Sequence, residues 1–563
     1  MDRDLSEKTD LAEGSRRLSG RLDLRAADGE TAFARKIVSC IRAMLAAVAL
    51  LAAAGCAVGP KILPVDERTT IDRSIVEYPT DFALKPYVLN LDSPTAINFD
   101  KYGNLIIAEG GFDGVEPRIF GIHPDGTRFD IYPLGTRLPF VRTGFRLHGP
   151  IGGLVCYGDR IYVTHRDGDD NGTITAFNYD GSHETIIANL PTQGDFAMTD
   201  IVAAPSYRHR LYFGVGSATN SGVVGLDNWQ WVRKHPRFCD SPYKALDTTG
   251  RRFDSPNPDA SLFSPSTVVT VPFEPWAVGN ITHVPANVDG KPTGAIYSVS
   301  PDGGDLEVEA WGVRDPVGLA VSDFGSVYFT DDGMEMRGTR PVVDDPDALF
   351  KLNPEGWYGW PDYSRSFEPI SDEKYQLPGS LSWMLSKTGY SSIGFLIDHQ
   401  ASNLAPPDPR LIVGKFKPLS GAGKLAMVPS SGPFRDHYAG DMIVALSGDR
   451  APFATNGQPL KAPTGYRLVT LDPDTHEVHD FVKNTHDGPA SKLDNGRSKA
   501  MERPIDAKFG PDGLLYILDF GQMRMKDGEM HVKPGTGKIY ILMPQVPNKP
   551  TGPMSPAISP GAK

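Results

Sequence analysis

The chain has 563 residues, of which 40% are apolar and 22% are charged, and it contains only 4 cysteines. This composition supports a packed core and excludes both a wholly disordered chain and a disulfide scaffold. A formal net charge of −12 has the wrong sign for a general nucleic-acid binder, which must neutralise phosphates. A few local cations could still hold an anionic cofactor.

The N-terminal segment predicts export. Basic residues precede an apolar run at 43–54, which is too short to span a bilayer and has the length of a signal-peptide core. The run ends at Cys56 behind small residues, which resembles a bacterial lipobox whose cysteine becomes acylated. We therefore expect residues 1–56 to form a leader and the protein to be periplasmic or anchored to a bacterial membrane through Cys56. A cleaved secretory peptide without lipid is the alternative.

Two further cysteines belong to the predicted exported body. Cys156 and Cys239 could pair or stay free in an oxidising compartment, and neither has metal-ligand spacing.

A repeated pattern dominates the rest of the chain. A short apolar strand, a polar turn with Gly or Asp and a second β-rich run recur, as hairpin chemistry requires. The six copies lie at 96–108, 153–164, 201–214, 318–330, 424–446 and 506–518.

Six such units predict an all-β chain that forms a six-bladed β-propeller, because radial repetition removes exposed sheet edges. A pair of β-sandwiches is the alternative, but it would not explain the recurring turn. Two stretches at 220–274 and 362–418 break the pattern and are expected to be long loop insertions. The boundaries that we predict are a linker and N-terminal lead-in at 57–88, the propeller at 89–543 and a disordered tail at 544–563.

An ordered set of motifs resembles the glucose/sorbosone dehydrogenase family, whose members are exported six-bladed propellers that use pyrroloquinoline quinone and calcium. These motifs are GVRDPVGLA at 312–320, FTDDG at 329–333, YGWP at 358–361, YAGDMIVAL at 438–446, TGYR at 464–467, RPID at 503–506 and GPDGLLY at 510–516. The chain departs from the family pattern at Asp315, Ala348, Ile505 and Phe196, so it would be a divergent member.

The resemblance implies a catalytic role for three residues. Arg314 would contact the quinone oxygens and stabilise negative charge as hydride arrives, and Asp315 stands beside it where the family has Asn. His148 is the candidate base, although its position is displaced by about one residue from the family's histidine. Asp195 and Asp200 are reserve bases.

The same resemblance implies ligands for the cofactor and for calcium. The three carboxylates of the quinone require cations, for which the candidates are Arg314, Arg503, Lys424 and Arg450. Calcium would be held by the loop after the fourth repeat, where Gly333, Met334 and Asp347 match the family's positions.

Three functions follow from these observations. The first is a quinoprotein dehydrogenase that oxidises a sugar or a sugar-derived aldehyde or alcohol and passes electrons to an external acceptor. The second is a cofactor-free propeller that binds a glycan or a protein partner. The third is a calcium-dependent, lactonase-like hydrolase on the same fold, and the fold alone does not separate these functions.

Overall fold

The computed structural model describes residues 59–134, 145–204, 209–262, 264–279, 281–386, 388–493, 499–526 and 528–545. The predicted leader, the acylated Cys56 and nearly all of the predicted tail lie outside the described residues. None of the helices in the described part of the chain has the length and apolarity of a membrane span.

Three strands precede the first repeat, and four strands form each of the first two blades. The first three are β1 (Lys61–Ile62), β2 (Val76–Glu77) and β3 (Phe82–Leu91). Blade one contains β4 (Pro94–Phe99), β5 (Leu105–Glu109), β6 (Arg118–Ile122) and β7 (Arg128–Tyr132), and blade two contains β8 (His148–Tyr157), β9 (Arg160–Arg166), β10 (Gly172–Phe177) and β11 (His183–Leu190).

Blade three is interrupted by the first insertion. Its strands are β12 (Met198–Ala204) and β13 (Arg210–Val215) before the insertion. The insertion holds helix α1 (Trp229–Lys234), the pair β14 (Leu246–Asp247) and β17 (His283–Val284), and the pair β15 (Phe253–Pro256) and β16 (Thr267–Thr270). The blade resumes with β18 (Ala295–Val299) and β19 (Glu307–Trp311).

Blade four carries the second insertion. It contains β20 (Leu319–Val321), β21 (Val327–Asp331), β22 (Ala348–Lys351) and, after helix α2 (Trp383–Ser386), β24 (Ile412–Lys415). The short strand β23 (Gly356–Trp357) instead pairs in parallel with β19 at the edge of blade three.

The last two blades are completed by strands from the N-terminal segment. Blade five contains β25 (Ala422–Met427), β26 (Met442–Leu446), β27 (Arg467–Leu471) and β28 (Val478–Asn484), with helix α3 (Arg435–Tyr438) between β25 and β26; β2 pairs with β28. Blade six contains β29 (Pro504–Phe509) and β30 (Leu515–Asp519), then the separate hairpin β31 (Met523–Lys526) and β32 (Glu529–Val532), and finally β33 (Gly537–Pro544), to which β3 and β1 are added. Short 3-10 helices lie at Val65–Glu67, Leu226–Asn228, Glu373–Tyr375, Gly379–Leu381, Pro409–Leu411 and Ala490–Lys492.

The predicted six-bladed propeller is confirmed by these sheets. The six predicted hairpins are the first two strands of the six blades, and the innermost strands contact one another in the closed order β4, β8, β12, β20, β25, β29 and back to β4. The core lies between neighbouring blades, where side chains of adjacent sheets interdigitate. Every residue of β5 is buried because a blade covers each of its faces.

The predicted start of the propeller at residue 89 is too late. Strands β1, β2 and most of β3 lie in the segment that was assigned to a lead-in, yet they hydrogen-bond to blades five and six. The backbone groups of a sheet edge need partners, and the N-terminal segment supplies them here.

A buried ion pair crosses the axis of the ring. Lys424 lies on the innermost strand of blade five, and its Nζ donates to the carbonyl of Thr95 in blade one at 2.8 Å. The same Nζ lies 3.4 Å from Oδ1 of Asp200 in blade three. Blades one and three are not neighbours of blade five, so the side chain spans the channel. Lys424 therefore lies across the axis. The sequence predicted that it would hold the cofactor.

Removing the ammonium should destabilise the ring. Lys424→Met leaves the carboxylate of Asp200 buried without its counter-ion, and we expect a loss of about 3–5 kcal/mol in the free energy of unfolding. Urea unfolding followed by circular dichroism measures it. The exposed Lys417→Met serves as the control and should change stability by less than about 0.5 kcal/mol.

The double variant Lys424→Met/Asp200→Asn should recover part of the loss, since no unpaired charge remains in the channel. A Lys424→Met protein as stable as the control would contradict this account of the axis.

Candidate functional site

Most of the predicted site residues meet at one face of the propeller. The innermost strands begin at this face, which we call the upper face, and end at the lower face. Because neighbouring strands of a blade are antiparallel, residues before a first strand and residues after a second strand share the upper face. Arg314, Asp315 and Arg503 are of the first kind, and Gly333 and Arg450 are of the second.

A buried carboxylate fixes the entry to the innermost strand in three blades. Asp331, the last residue of β21, accepts backbone N–H groups of Arg314 at 3.0 Å and of Asp315 at 2.7 Å. Asp519 does the same for Arg503 at 2.9 Å, and Glu109 accepts the N–H of Asp92 at 2.8 Å. These bonds position the backbone of the two predicted arginines.

The Arg314 side chain is enclosed. Its guanidinium is 1% exposed, lies 4.3 Å from the centre of the Phe196 ring, and donates to the carbonyl and side-chain oxygens of Asn220 at 3.1 and 2.9 Å. Its Nη2 also lies 3.2 Å from Oε2 of Glu335. Arg314 is thus bound on all sides by protein groups.

A second buried arginine, which the sequence analysis missed, organises the same region. Nη1 of Arg337 lies 2.7 Å from Asp195 and 2.6 Å from Asp227, and its Nε donates to Glu335. Burial alone would raise the pKa of Glu335, but the guanidinium groups of Arg337, Arg314 and Arg450 hold it at about 2. The only sequence signal was a basic residue within an acidic loop.

Arg450 is the most accessible of the predicted cations. Its side chain is 25% exposed, and its Nη2 lies 3.5 Å from Oδ2 of both Asp315 and Asp332. Burial raises the pKa of Asp315, and burial with repulsion from Asp347 and Asp315 raises the pKa of Asp332 well above its ordinary value. Arg450 therefore faces two carboxyl groups and not open solvent.

Of the residues predicted to hold calcium, Asp347 uses both carboxylate oxygens in internal hydrogen bonds, and Gly333 and Met334 use their backbone N–H groups. Asp347 accepts the N–H of Gly333 at 2.9 Å, and its other oxygen accepts the Ser420 hydroxyl and the Gly421 N–H, both at 2.8 Å. The N–H of Met334 is bound by Asp345 at 2.7 Å. Within the described ranges, no group of three or more His, Cys, Asp or Glu side chains could hold a metal ion.

Arg503 is also held inside the fold. Its guanidinium donates to the carbonyls of Ser447, Gly448 and Asp449 at 2.9–3.1 Å and to the Tyr466 hydroxyl at 3.2 Å. It ties the loop after β26 to the start of β29. The predicted role of Arg503 as a cofactor anchor does not fit this arrangement.

The predicted base also lies at the upper face. His148 is the first residue of β8, the innermost strand of blade two, where it pairs in register with Arg166 and lies beside Gly168. No hydrogen bond among the described residues joins His148 to Arg314, so the two could act together only on a group placed between them.

The first insertion covers the charged region of the upper face. Nδ2 of Asn220 donates to the carbonyls of Glu335 and Arg337, and the Ser221 hydroxyl donates to the carbonyl of Arg340 at 2.6 Å. The two insertions also pair with each other at Thr248 and Ile397. Of the alternatives for the cysteines, the structure shows both Cys156 and Cys239 unpaired.

A buried carboxyl group anchors the base of the first insertion. Asp240 accepts the N–H of Ala218 and the hydroxyl of Thr219, both at 2.6 Å, and the hydroxyl of Thr293 at 3.1 Å. Burial raises its pKa from 3.8 to about 7, against the lowering effect of these hydrogen bonds. Asp240 therefore changes charge near neutral pH in the folded protein.

The titration of Asp240 predicts a pH-dependent stability. Between pH 4 and 7 the folded state binds this proton more tightly than the unfolded state, so the stability contribution falls as pH rises. Relative to Asp240→Asn, we expect the free energy of unfolding of the natural protein to fall by up to about 1.4 kcal/mol per pH unit in this range. Urea unfolding at several pH values measures the difference.

The matched control is Asp259→Asn, an exposed carboxyl group in the same insertion. It should keep the pH profile of the natural protein. If Asp240→Asn also keeps that profile, then Asp240 does not titrate in this range.

Comparisons with known proteins match this fold at low identity. A scan against family models and a search of curated proteins found no match. Similar solved structures include a calcium structure of a Trichoderma reesei protein of Carbohydrate-Active Enzymes Family AA12, with a TM-score of 0.48 and 13% identity over 85% of this chain and 99% of that one. The holo form of the pyranose dehydrogenase PQQ domain from Coprinopsis cinerea has a TM-score of 0.43 and 13% identity over 84% of this chain and 98% of that one.

The PQQ-bound aldose sugar dehydrogenase from Streptomyces coelicolor gives a TM-score of 0.41 and 14% identity over 83% of this chain and 99% of that one. The two dehydrogenase structures thus align with most of this chain and with nearly all of their own length.

Proposed function

We propose that this protein is a cofactor-free propeller that binds its ligand instead of oxidising it. The observation that carries the proposal is that the predicted quinone-binding cations are bound by groups of the fold itself. Arg314 and Arg503 are enclosed by protein acceptors, and Lys424 crosses the axis. A trianionic quinone would have to displace these partners.

The acidic groups around Arg450 also disfavour binding of the anionic quinone. This cation faces Asp315 and Asp332 at 3.5 Å, and further carboxylates, Glu335 and Asp227, lie in the same region. An added anion would meet the ionised carboxylate of Glu335 and would find the guanidinium groups of Arg314, Arg337 and Arg450 already facing protein oxygens. The residues present do not fit pyrroloquinoline quinone at the predicted position.

The two axial carboxylates that the structure describes are already paired, which disfavours the hydrolase alternative. Asp200 and Asp506 each lie within 3.4 Å of a lysine, Lys424 or Lys508. An ammonium paired with each carboxylate occupies the place of a cation. A calcium-dependent lactonase mechanism therefore receives no support from this arrangement.

Reconstitution separates the binding and dehydrogenase hypotheses. Incubated with the quinone and calcium and then desalted, the protein should retain no cofactor absorbance and should reduce no dye when given aldoses, because its cations are occupied. A quinone-dependent sugar dehydrogenase handled in parallel shows that the cofactor and dye are active. Stoichiometric quinone retention with sugar-dependent dye reduction that Arg314→Ala abolishes would establish the dehydrogenase instead.

We also propose that the protein is exported and acylated, on the basis of the apolar run at 43–54 and of Cys56. Mass spectrometry of the protein from a bacterial membrane fraction should find an acylated cysteine at position 56 as the first residue. Cys56→Ser should move the protein to the soluble fraction. A mature chain that keeps residues 1–55 would overturn the export proposal.

A further inference from the structure

A cavity of about 980 Å³ opens on the lower face, between blades one and six. It is bounded by the turns that follow β4, β6 and β29, and by residues 62–68 of the N-terminal segment. The innermost strands end at this face, so the cavity lies at the opposite end of the propeller from Arg314. Its volume is at the upper end of the range of about 300–1,000 Å³ that is usual for small-molecule sites.

Aromatic rings form one wall of the cavity. The Tyr87 and Tyr516 rings meet edge to face with centroids 5.8 Å apart, and Phe99 meets Tyr516 in the same way at 4.9 Å. Tyr102 is 63% exposed, so its ring is available at the mouth. Tyr87 and Tyr516 are only 7% and 9% exposed, so they form a rigid floor, and Tyr102 is the ring of this wall that is open to a ligand.

A guanidinium group is fixed against this wall. Arg68 lies 4.4 Å from the centre of the Tyr87 ring, and its Nε donates to the carbonyl of Leu63 at 2.8 Å. Among the described residues, this is the one acceptor of the Arg68 side chain, which has five N–H groups. The others can donate to a ligand.

The acceptors of the cavity are carboxylates. Asp512 accepts the Tyr516 hydroxyl at 2.9 Å, and Asp125 lies on the turn after β6. The charged lining side chains are Arg68, Lys101, Asp125 and Asp512, and Lys101 is already paired with Asp159 just outside the lining. This balance disfavours a strongly charged ligand, while a purely apolar ligand would remove all four from water without compensation. A ring rich in hydroxyl groups satisfies both kinds of partner.

The turn that carries Tyr102 is rigid. Asp100 accepts the N–H groups of Tyr102 at 2.9 Å and of Asn104 at 2.8 Å, and its other oxygen accepts the Tyr179 hydroxyl at 2.8 Å. Gly103 has a φ of 82°, which side-chain-bearing residues rarely adopt. The mouth of the cavity is therefore held in place before any ligand arrives.

We infer that this lower-face cavity is a binding site for a short neutral oligosaccharide, with Tyr102 against a sugar ring, Arg68, Asp125 and Asp512 on the sugar hydroxyl groups, and Tyr87 and Tyr516 as the floor of the site. The inference deepens the proposed function, on which it rests, by naming the ligand class and the face. It assigns the ligand to the end of the propeller away from the motifs that resemble the dehydrogenases.

Isothermal titration of the full chain with neutral di- to tetrasaccharides of glucose, xylose and N-acetylglucosamine tests the site. We expect at least one of them to bind, and Arg68→Met and Tyr102→Ala to weaken its affinity at least tenfold. Phe324→Ala is the matched control, since Phe324 is 98% exposed on the equivalent turn of blade four. This variant should bind like the natural protein.

Hydrogen exchange with the same sugar should show protection at residues 62–68 and 99–105 and none at 322–326. Binding that the Arg68 and Tyr102 variants leave unchanged, protection at the upper face, or tighter binding of a glucuronate-containing oligosaccharide would overturn the site as assigned. Absence of any sugar binding would overturn this inference alone, whereas quinone retention in the reconstitution experiment would overturn the proposed function.

Discussion

A charge that leaves water must find a counter-charge or a hydrogen bond, and this constraint governs the interior of the propeller. Along the axis, Lys424 reaches across the ring to Asp200, and Lys508 lies 3.0 Å from Asp506. At the upper face, Asp331 binds two backbone N–H groups and also pairs with Arg365, which is fully buried. The same groups that join the six sheets therefore occupy the axis and the adjoining part of the upper face.

The first insertion is bonded to the charged groups of the upper face. Asn220 provides the oxygens that Arg314 binds, and its amide nitrogen reaches the loop after β21. Asp240 holds the base of this insertion through three donors. A motif can thus predict the position of an arginine without predicting its partner. Here the partner of Arg314 is a residue of the first insertion.

The sequence was sufficient to predict the architecture because the alternation of apolar and polar residues in a strand and the residues of a turn are both visible in a short stretch of chain. All six hairpins fall where the repeat predicts them, whereas β2 and β3 escaped prediction because their partners, β28 and β33, are more than 400 residues away, and β1 pairs with β3. The upper-face positions of Arg314 and Arg503 also followed from the pattern. Their partners did not, because Asn220, Glu335 and Tyr466 come from other loops, and the lower cavity depends on residues of three turns and the N-terminal segment.

Because β2 and β3 complete the last two blades, the ring joins strands that are synthesised early to strands that are synthesised late. Residues 76–91 leave the ribosome early, but β28 and β33 that pair with them are made last. The ring can close only when translation is almost complete, and contacts of such high sequence separation form slowly. A nascent chain therefore carries unpaired strand edges for most of its elongation, and such edges are prone to pair with other chains until the ring closes.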